Sequence, residues 1–448
     1  MNAVFRLSLV LVLLSLFGCG GDDTTAVFPS VRTWGHAVLV SGEQDAYGAQ
    51  SAMDGKGNAL VAWISDSYLY SRKYSASGGW DAAAARIDNA VLRVSAYSLA
   101  MNVNGDAVAA WRAEETTGDF FSARRFAMSA GWDADFQLLS DNNFDGQVPS
   151  AAINAAGSIM TVFSKYNANE LYARGYAPGT GWDAAPTVID SAAYVTNYPQ
   201  VAMDDNGNGV AVWERYDGTY TNAYARHYTA GAGWDATVTT LDDPAVIGHV
   251  GSTHIVLNAQ GSGVAFWEQP NGASYGAYAR RFSAGPLPGW DTEIFPVVSS
   301  ANPVYDLRGA VDPNGNMVIT WIVQDGARSR MFARAYHPAN GWDASATAVS
   351  DTLPDLDVKA AFFALDKNGN GLAVWSQDNE TNPAIYARDY SARFGWSRRI
   401  QKVYQYPAGF GGEVTSLSLT PKGKALVVFS YVDVPGYAST KLMAILSR

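Results

Sequence analysis

Cysteine is almost missing from this chain: Cys19 is the only one in 448 residues. A disulfide framework and a thiolate metal cluster are thereby excluded. Charged residues are sparse, at 16%, and lopsided, with 31 Lys and Arg against 42 Asp and Glu for a net charge of −11. No run of Lys and Arg interrupts that acidity. Such a chain repels phosphate backbones, so nucleic acid is not an expected partner. A run long enough to cross a bilayer is lacking too, since the apolar stretch from Leu7 to Phe17 is shorter than the roughly 20 residues a spanning helix needs. Windows with a 3.6-residue apolar period are scarce. There is no Gly-x-Ser-x-Gly elbow, phosphate-binding loop or dinucleotide fingerprint, and no cofactor is implied.

What the chain does contain suits short strands and tight turns. Apolar residues make up 48%, with 43 Gly, 14 Trp and 24 Tyr. A repeat organises them. Eight five-residue stretches begin at Asp54, Asn102, Asn154, Asp204, Asn258, Asp312, Asp366 and Thr420. In each the fourth residue is glycine: Gly57, Gly105, Gly157, Gly207, Gly261, Gly315, Gly369 and Gly423. Six residues after each glycine stands a large aromatic: Trp63, Trp111, Phe163, Trp213, Trp267, Trp321, Trp375 and Phe429. The opening Asp or Asn bonds its own backbone to start a turn, and Gly takes the left-handed position that closes it. Apolar strands flank the turn, a third strand is centred on Tyr-Ala-Arg-x-Tyr (Tyr172 to Tyr176, Tyr224 to Tyr228), and a Gly-Trp turn opens a fourth, as from Trp182 to Ile189.

Four antiparallel strands about every fifty residues is the layout of a β-propeller blade. A blade apolar on both faces cannot stand alone, so the ring must close. The last unit lacks its Gly-Trp strand, and the missing piece stands at the other end as Trp34 to Val40. The expectation is an all-β, eight-bladed propeller whose N-terminal strand completes the last blade. A seven-bladed ring or an open solenoid is the competing arrangement.

The repeat also accounts for most residues with chemical potential. All fourteen Trp fall into two repeat positions, the end of the second strand and the start of the fourth, which reads as packing. Arg72, Arg124, Arg174, Arg226, Arg280, Arg334 and Arg388 recur on the third strand, and Asp81, Asp133, Asp183, Asp235, Asp291 and Asp343 follow the Gly-Trp pair. An Arg held between aromatic faces and an Asp is the expected interblade clamp. The turn sequences lack the spacing and the distant Glu of helix-flanked calcium loops. His249 and His254 are close in sequence but are a weak metal signal, and no metal site is expected.

Function is therefore expected on the irregular rim formed by the loops joining strands two and three, with the regular opposite rim as scaffold. The candidate ligand-binding residues are Tyr166, Glu214, Tyr216, Asp217, Tyr220, Glu268, Gln269, Asp325 and Asp378. The partner is expected to be an envelope protein or a glycan. An enzyme acting on polysaccharide is the alternative, for which Glu214 and Glu268 are the weak catalytic candidates because they share one repeat position in adjacent units. Their plainer reading is a pair of exposed strand-end glutamates.

Leu16-Phe17-Gly18-Cys19, directly after the short apolar run, resembles the bacterial lipobox. The resemblance implies that residues 1–18 are a signal peptide, that Cys19 is lipidated, that 19–30 form a tether and that 31–448 form the propeller. Gly20, where inner-membrane retention usually has Asp, implies the outer membrane and a lipid-anchored place in the cell envelope. The repeat, with its Asp-x-x-Gly-Asn turn and Gly-Trp strand, resembles a group of bacterial secreted propellers. In architecture alone it is similar to the eight-bladed lipoprotein of outer-membrane β-barrel assembly, an analogy that carries no contact residue across.

Overall fold

The computed structural model describes residues 32–42, 45–88, 92–114, 118–140, 146–194, 196–243, 245–285, 288–326, 328–350, 357–378, 383–433 and 439–447. Cys19 and the segments 1–18 and 19–30 lie outside them. The described residues form eight antiparallel sheets, each a four-stranded blade whose strands are lettered A to D here. In blade 4 these are A, Thr196–Met203; B, Gly209–Tyr216; C, Thr221–Thr229; and D, Gly233–Trp234 with Thr239–Thr240. Strand A of every blade touches strand A of the next, and that of blade 8 (Val414–Leu419) touches that of blade 1 (Tyr47–Met53). The ring is closed and has eight blades.

The A–B turns form as their side chains dictate. Asp312 Oδ1 accepts the N–H groups of Asn314 at 2.8 Å and Asn316 at 2.9 Å, and Asn316 Nδ2 returns to Asp312 Oδ2 at 2.7 Å. The turn glycines all have φ between 75° and 94°, a region closed to most side chains. Six residues on, Trp63, Trp111, Trp213, Trp267, Trp321 and Trp375 are fully buried, and five of them stack on the aromatic opposite in strand C at 6.2 to 6.3 Å.

The arginine of strand C is an interblade clamp, but its acceptors differ from the carboxylates expected. Arg280 donates from Nε to the main-chain carbonyl of Asp291 at 2.7 Å and from Nη1 to Thr240 of blade 4 at 2.9 Å. Arg72, Arg124, Arg174, Arg226, Arg334 and Arg388 repeat this, each tying its strand D carbonyl to strand D of the preceding blade. The Asp side chain turns instead to strand C, where Asp183 Oδ2 accepts the N–H of Gly175 at 2.8 Å. This kink splits strand D in the six blades that carry the Asp, so the expected continuous strand from Trp182 is Gly181–Trp182 followed by Thr187–Ser191. Blade 7 has Ser397 in place of Asp, and its strand D runs unbroken as Gly395–Gln405.

The N-terminal strand closes the ring as its sequence requires. Val38 pairs with Ala444 and Leu39 with Met443, while Trp34 bridges Ser447. Val40 and Ala46 enter a core with Leu426, Leu442 and Trp63, which belong to blades 8 and 1.

Candidate functional site: the loop rim over blades 4 and 5

Strand A of most blades breaks register near its start, where the rim meets the central channel. In blades 4, 5 and 6 the breaks fall at Asn197/Gln200, Gly251/His254 and Tyr305/Arg308. Each bulge contains one residue in the left-handed region: Tyr198 at φ 46°, Ser252 at 52° and Asp306 at 56°. All three stand six residues before the turn Asp or Asn, and blade 1 has Gly48 there, at φ 64°. Glycine adopts this conformation freely, whereas other residues hold it at a cost of roughly 1 kcal/mol or more. Three neighbouring blades thus keep a side chain where the backbone favours none.

Glu214 and Glu268 end strand B beside these bulges. Glu214 is only 4% exposed, and its Oε1 accepts the Thr253 N–H of blade 5 at 3.1 Å. Glu268 lies opposite Gly251 and faces the Ser252 hydroxyl and the Leu307 N–H of blade 6. Its Oε1 is buried without a hydrogen-bond partner among the described residues. Exposed strand-end glutamates are therefore not what the structure contains, because each bulge folds the next blade over the carboxyl group. Burial raises both groups to about 7, and for Glu268 the negative charges of Asp306 and Glu214 add to it.

The same position in blade 7 is Ser376, whose hydroxyl accepts the Val414 N–H of blade 8 at 2.6 Å. One hydroxyl is enough to seal this seam. A carboxyl group brings a second oxygen and an ionisable proton that the seam does not use.

Above the carboxyl pair lies an aromatic group. Tyr216, 37% exposed, stacks on His249 with ring centroids 6.4 Å apart; Tyr220 meets His249 edge-on at 5.5 Å, and Tyr194 meets Tyr216 at 5.4 Å. Asp217 shapes the loop that carries them, accepting the N–H groups of Thr219 and Tyr220 and the Asn222 amide, which hold its carboxyl below the usual range. Its role on the rim is to fix Tyr216 and Tyr220.

Other candidate residues are placed differently. Gln269 is 2% exposed; it accepts the Trp267 indole N–H at 3.2 Å and donates to Val246 O, so it belongs to the blade and not to a ligand surface. Tyr166 opens a single 3-10 turn, Tyr166–Ala168, in blade 3, away from the pair. Asp325 and Asp378 end strand B of blades 6 and 7, and their side chains lie outside what is described. His249 and His254 take separate roles: His254 bonds the Gln200 amide at 2.9 Å, and burial beside Arg308 lowers it to about 3.

No family model and no curated protein matches the chain. Solved structures of similar shape include a prolyl endopeptidase studied for inter-domain dynamics, 13% identical over 89% of this chain and 54% of its own, with TM-score 0.48. The polysaccharide lyase Uly1 is 10% identical over 92% of this chain and 98% of its own, with TM-score 0.49. The Dos1 propeller is 9% identical over 92% and 95%, with TM-score 0.48. The chain spans about half the length of the prolyl endopeptidase. Likeness at this level carries no functional inference.

Sequence reasoning missed Tyr194, His249, Ser252, Thr253 and Asp306 as members of this site. The signal for Ser252 and Asp306 was their common distance from the turn, at which blade 1 has glycine.

Proposed function

We propose that the protein is a lipid-anchored propeller of the cell envelope that binds a glycan on the loop rim above blades 4 and 5. The observation that carries this reading is the group of exposed Tyr194, Tyr216 and His249 with half-buried Tyr220. Phenol rings offer an apolar face to sugar C–H groups and a hydroxyl to sugar oxygens. The acidic balance of the chain favours a neutral partner over an anionic one. Replacing Tyr216 and Tyr220 together by Ala should abolish retention of envelope polysaccharide by the immobilised protein. Equal retention by the two proteins would end the proposal. The anchor rests on Cys19. Cys19→Ser should move the protein from the membrane to the soluble fraction.

A second reading is favoured by the carboxyl pair. Two acids raised toward neutrality, the charge of one felt by the other and both beside left-handed bulge residues, suit general acid–base chemistry. In this reading one of Glu214 and Glu268 protonates a glycosidic oxygen while the other draws a proton from the attacking water. Release of reducing ends from envelope polysaccharide, present in the natural chain and absent in E214Q and E268Q, is the expected outcome. No release by the natural chain would leave binding alone.

A further inference from the structure

The opposite rim, where the A–B turns and the Gly-Trp turns lie, is less uniform than its sequence suggests. Adjacent blades leave a groove between them there, and one residue governs how far it is filled. This is the residue after the clamp arginine in strand C. Around the ring it is Lys73, Arg125, Gly175, His227, Arg281, Ala335 and Asp389, with Leu446 in the blade that lacks the arginine.

Where this residue is long, it fills the groove. Arg125 pairs with Asp133 at 2.8 Å and lies over the Tyr176 ring of blade 3 at 4.1 Å. Arg281 pairs with Asp291 at 2.7 Å and lies over Tyr336 of blade 6 at 4.4 Å. Where it is smaller, the groove opens. The cavity is about 280 Å³ in the groove that His227 lines, about 440 Å³ beside Leu446, about 740 Å³ after Ala335 and about 790 Å³ at Gly175. The two largest of these cavities accompany the two smallest of these residues, Ala335 and Gly175.

The two large cavities have the same wall. Between blades 3 and 4 it is built from Asp183, Thr187 and the half-buried Trp234. Between blades 6 and 7 the equivalent residues are Asp343, Thr347 and the half-buried Trp396. The guanidinium groups of Arg226 and Arg388, also in the walls, are already committed to main-chain carbonyls. Removing one side chain has therefore left, twice, an indole beside a carboxylate and a hydroxyl in a recess of ligand size. Both indoles also keep the packing role expected of them, Trp234 against Tyr228 at 5.3 Å and Trp396 against Tyr390 at 5.1 Å, and line the recess in addition.

We infer that the grooves at Gly175 and Ala335 are two equivalent binding sites, each for one neutral pyranose residue of a glycan. The indole offers a face to the sugar C–H groups, and Asp183 or Asp343 with Thr187 or Thr347 accepts and donates hydrogen bonds to ring hydroxyls. The shared carboxylate disfavours uronic and other acidic sugars. These sites lie on the rim opposite Tyr216, so they stand or fall independently of the proposed function.

The ring itself supplies the variants for a test. Gly175→Arg and Ala335→Arg would rebuild the filled grooves that Arg125 and Arg281 already make. The full chain, solubilised in detergent, is titrated with the methyl glycosides of glucose, galactose, mannose and N-acetylglucosamine. Saturation-transfer NMR detects binding, and calorimetry counts sites. In a chain that also carries Tyr216→Ala and Tyr220→Ala, which removes the loop-rim site, at least one glycoside should bind at two sites, at one site in either single groove variant, and at none in the double variant. The pair Asp183→Asn and Asp343→Asn, which adds no bulk, should weaken binding at least tenfold and covers the case in which the Arg variants fold poorly. Binding of none of the four to the Tyr216→Ala, Tyr220→Ala chain, or binding to it that persists in both double variants, would each overturn the inference.

Discussion

Glu214 holds its carboxyl group among the seams of blades 4 and 5, where a serine does the same sealing in blade 7. Burial raises its proton affinity to about 7, above that of the unfolded chain. Between roughly pH 4.5 and 7 the folded state therefore retains a proton that the unfolded chain has lost. Stability falls as pH rises through this window, and the full cost remains above it. At 1.4 kcal/mol per pH unit that cost is about 3 kcal/mol. Glu214→Gln keeps an acceptor for the Thr253 N–H and removes the charge. It should raise the melting temperature at pH 8 and leave it unchanged at pH 4.5, as followed by calorimetry; an equal change at both would contradict the burial argument. The sequence showed that Glu214 and Glu268 share a repeat position. It did not show their burial, which depends on bulges in the next blade about forty residues on. Gln269 went the other way for a similar reason: beside Glu268 in a loop-like stretch, it reads as a rim residue until the Trp267 indole is found bonded to it.

The blade itself was almost entirely legible, because turn, core aromatic and clamp each recur at fixed spacing and each has a local cause. The Asp-x-x-Gly turn predicts itself from side-chain hydrogen bonding, and the buried Trp follows from alternation along strand B. The acceptor of the clamp was not legible, since a carbonyl carries no signature in sequence while a nearby Asp does. The clamp can be tested as a unit. Lysine in place of Arg280 keeps the charge but cannot reach Asp291 O and Thr240 O together. Arg280→Lys should lower stability by about 1–3 kcal/mol, the worth of one or two charged hydrogen bonds. Thermal unfolding measures this, and a loss below a few tenths of a kcal/mol would mean that the clamp follows from blade packing and does not support it.

At the scale of the ring, the eighth blade borrows a strand from the other end of the chain. Leu442 donates its N–H to Ser41 Oγ across 401 positions, and Thr440 donates to Asp45 across 395. Deleting residues 32–46 would leave strand C of blade 8 with an unpaired edge and uncover Leu442 and Ala444. The truncated chain should lose its single cooperative unfolding transition and self-associate, which calorimetry and light scattering would show together. A sharp, unchanged transition would mean that the other strands close the ring unaided. This long-range join was visible in the sequence only because the repeat was counted to its end and one strand was found missing there.

That join also sets a clock. Residues 38–39 are made about 400 residues before their partners at 443–444, so blade 8 cannot be completed until those have been synthesised. At about 5–20 residues per second the wait lasts tens of seconds. Throughout it the apolar flank of blade 1 has no neighbour, and closing so long a loop carries an entropic cost that no earlier contact offsets. The slowest folding phase of the propeller should therefore be the docking of residues 38–39 onto 443–444, and the nascent chain has most need of a chaperone until that pair forms.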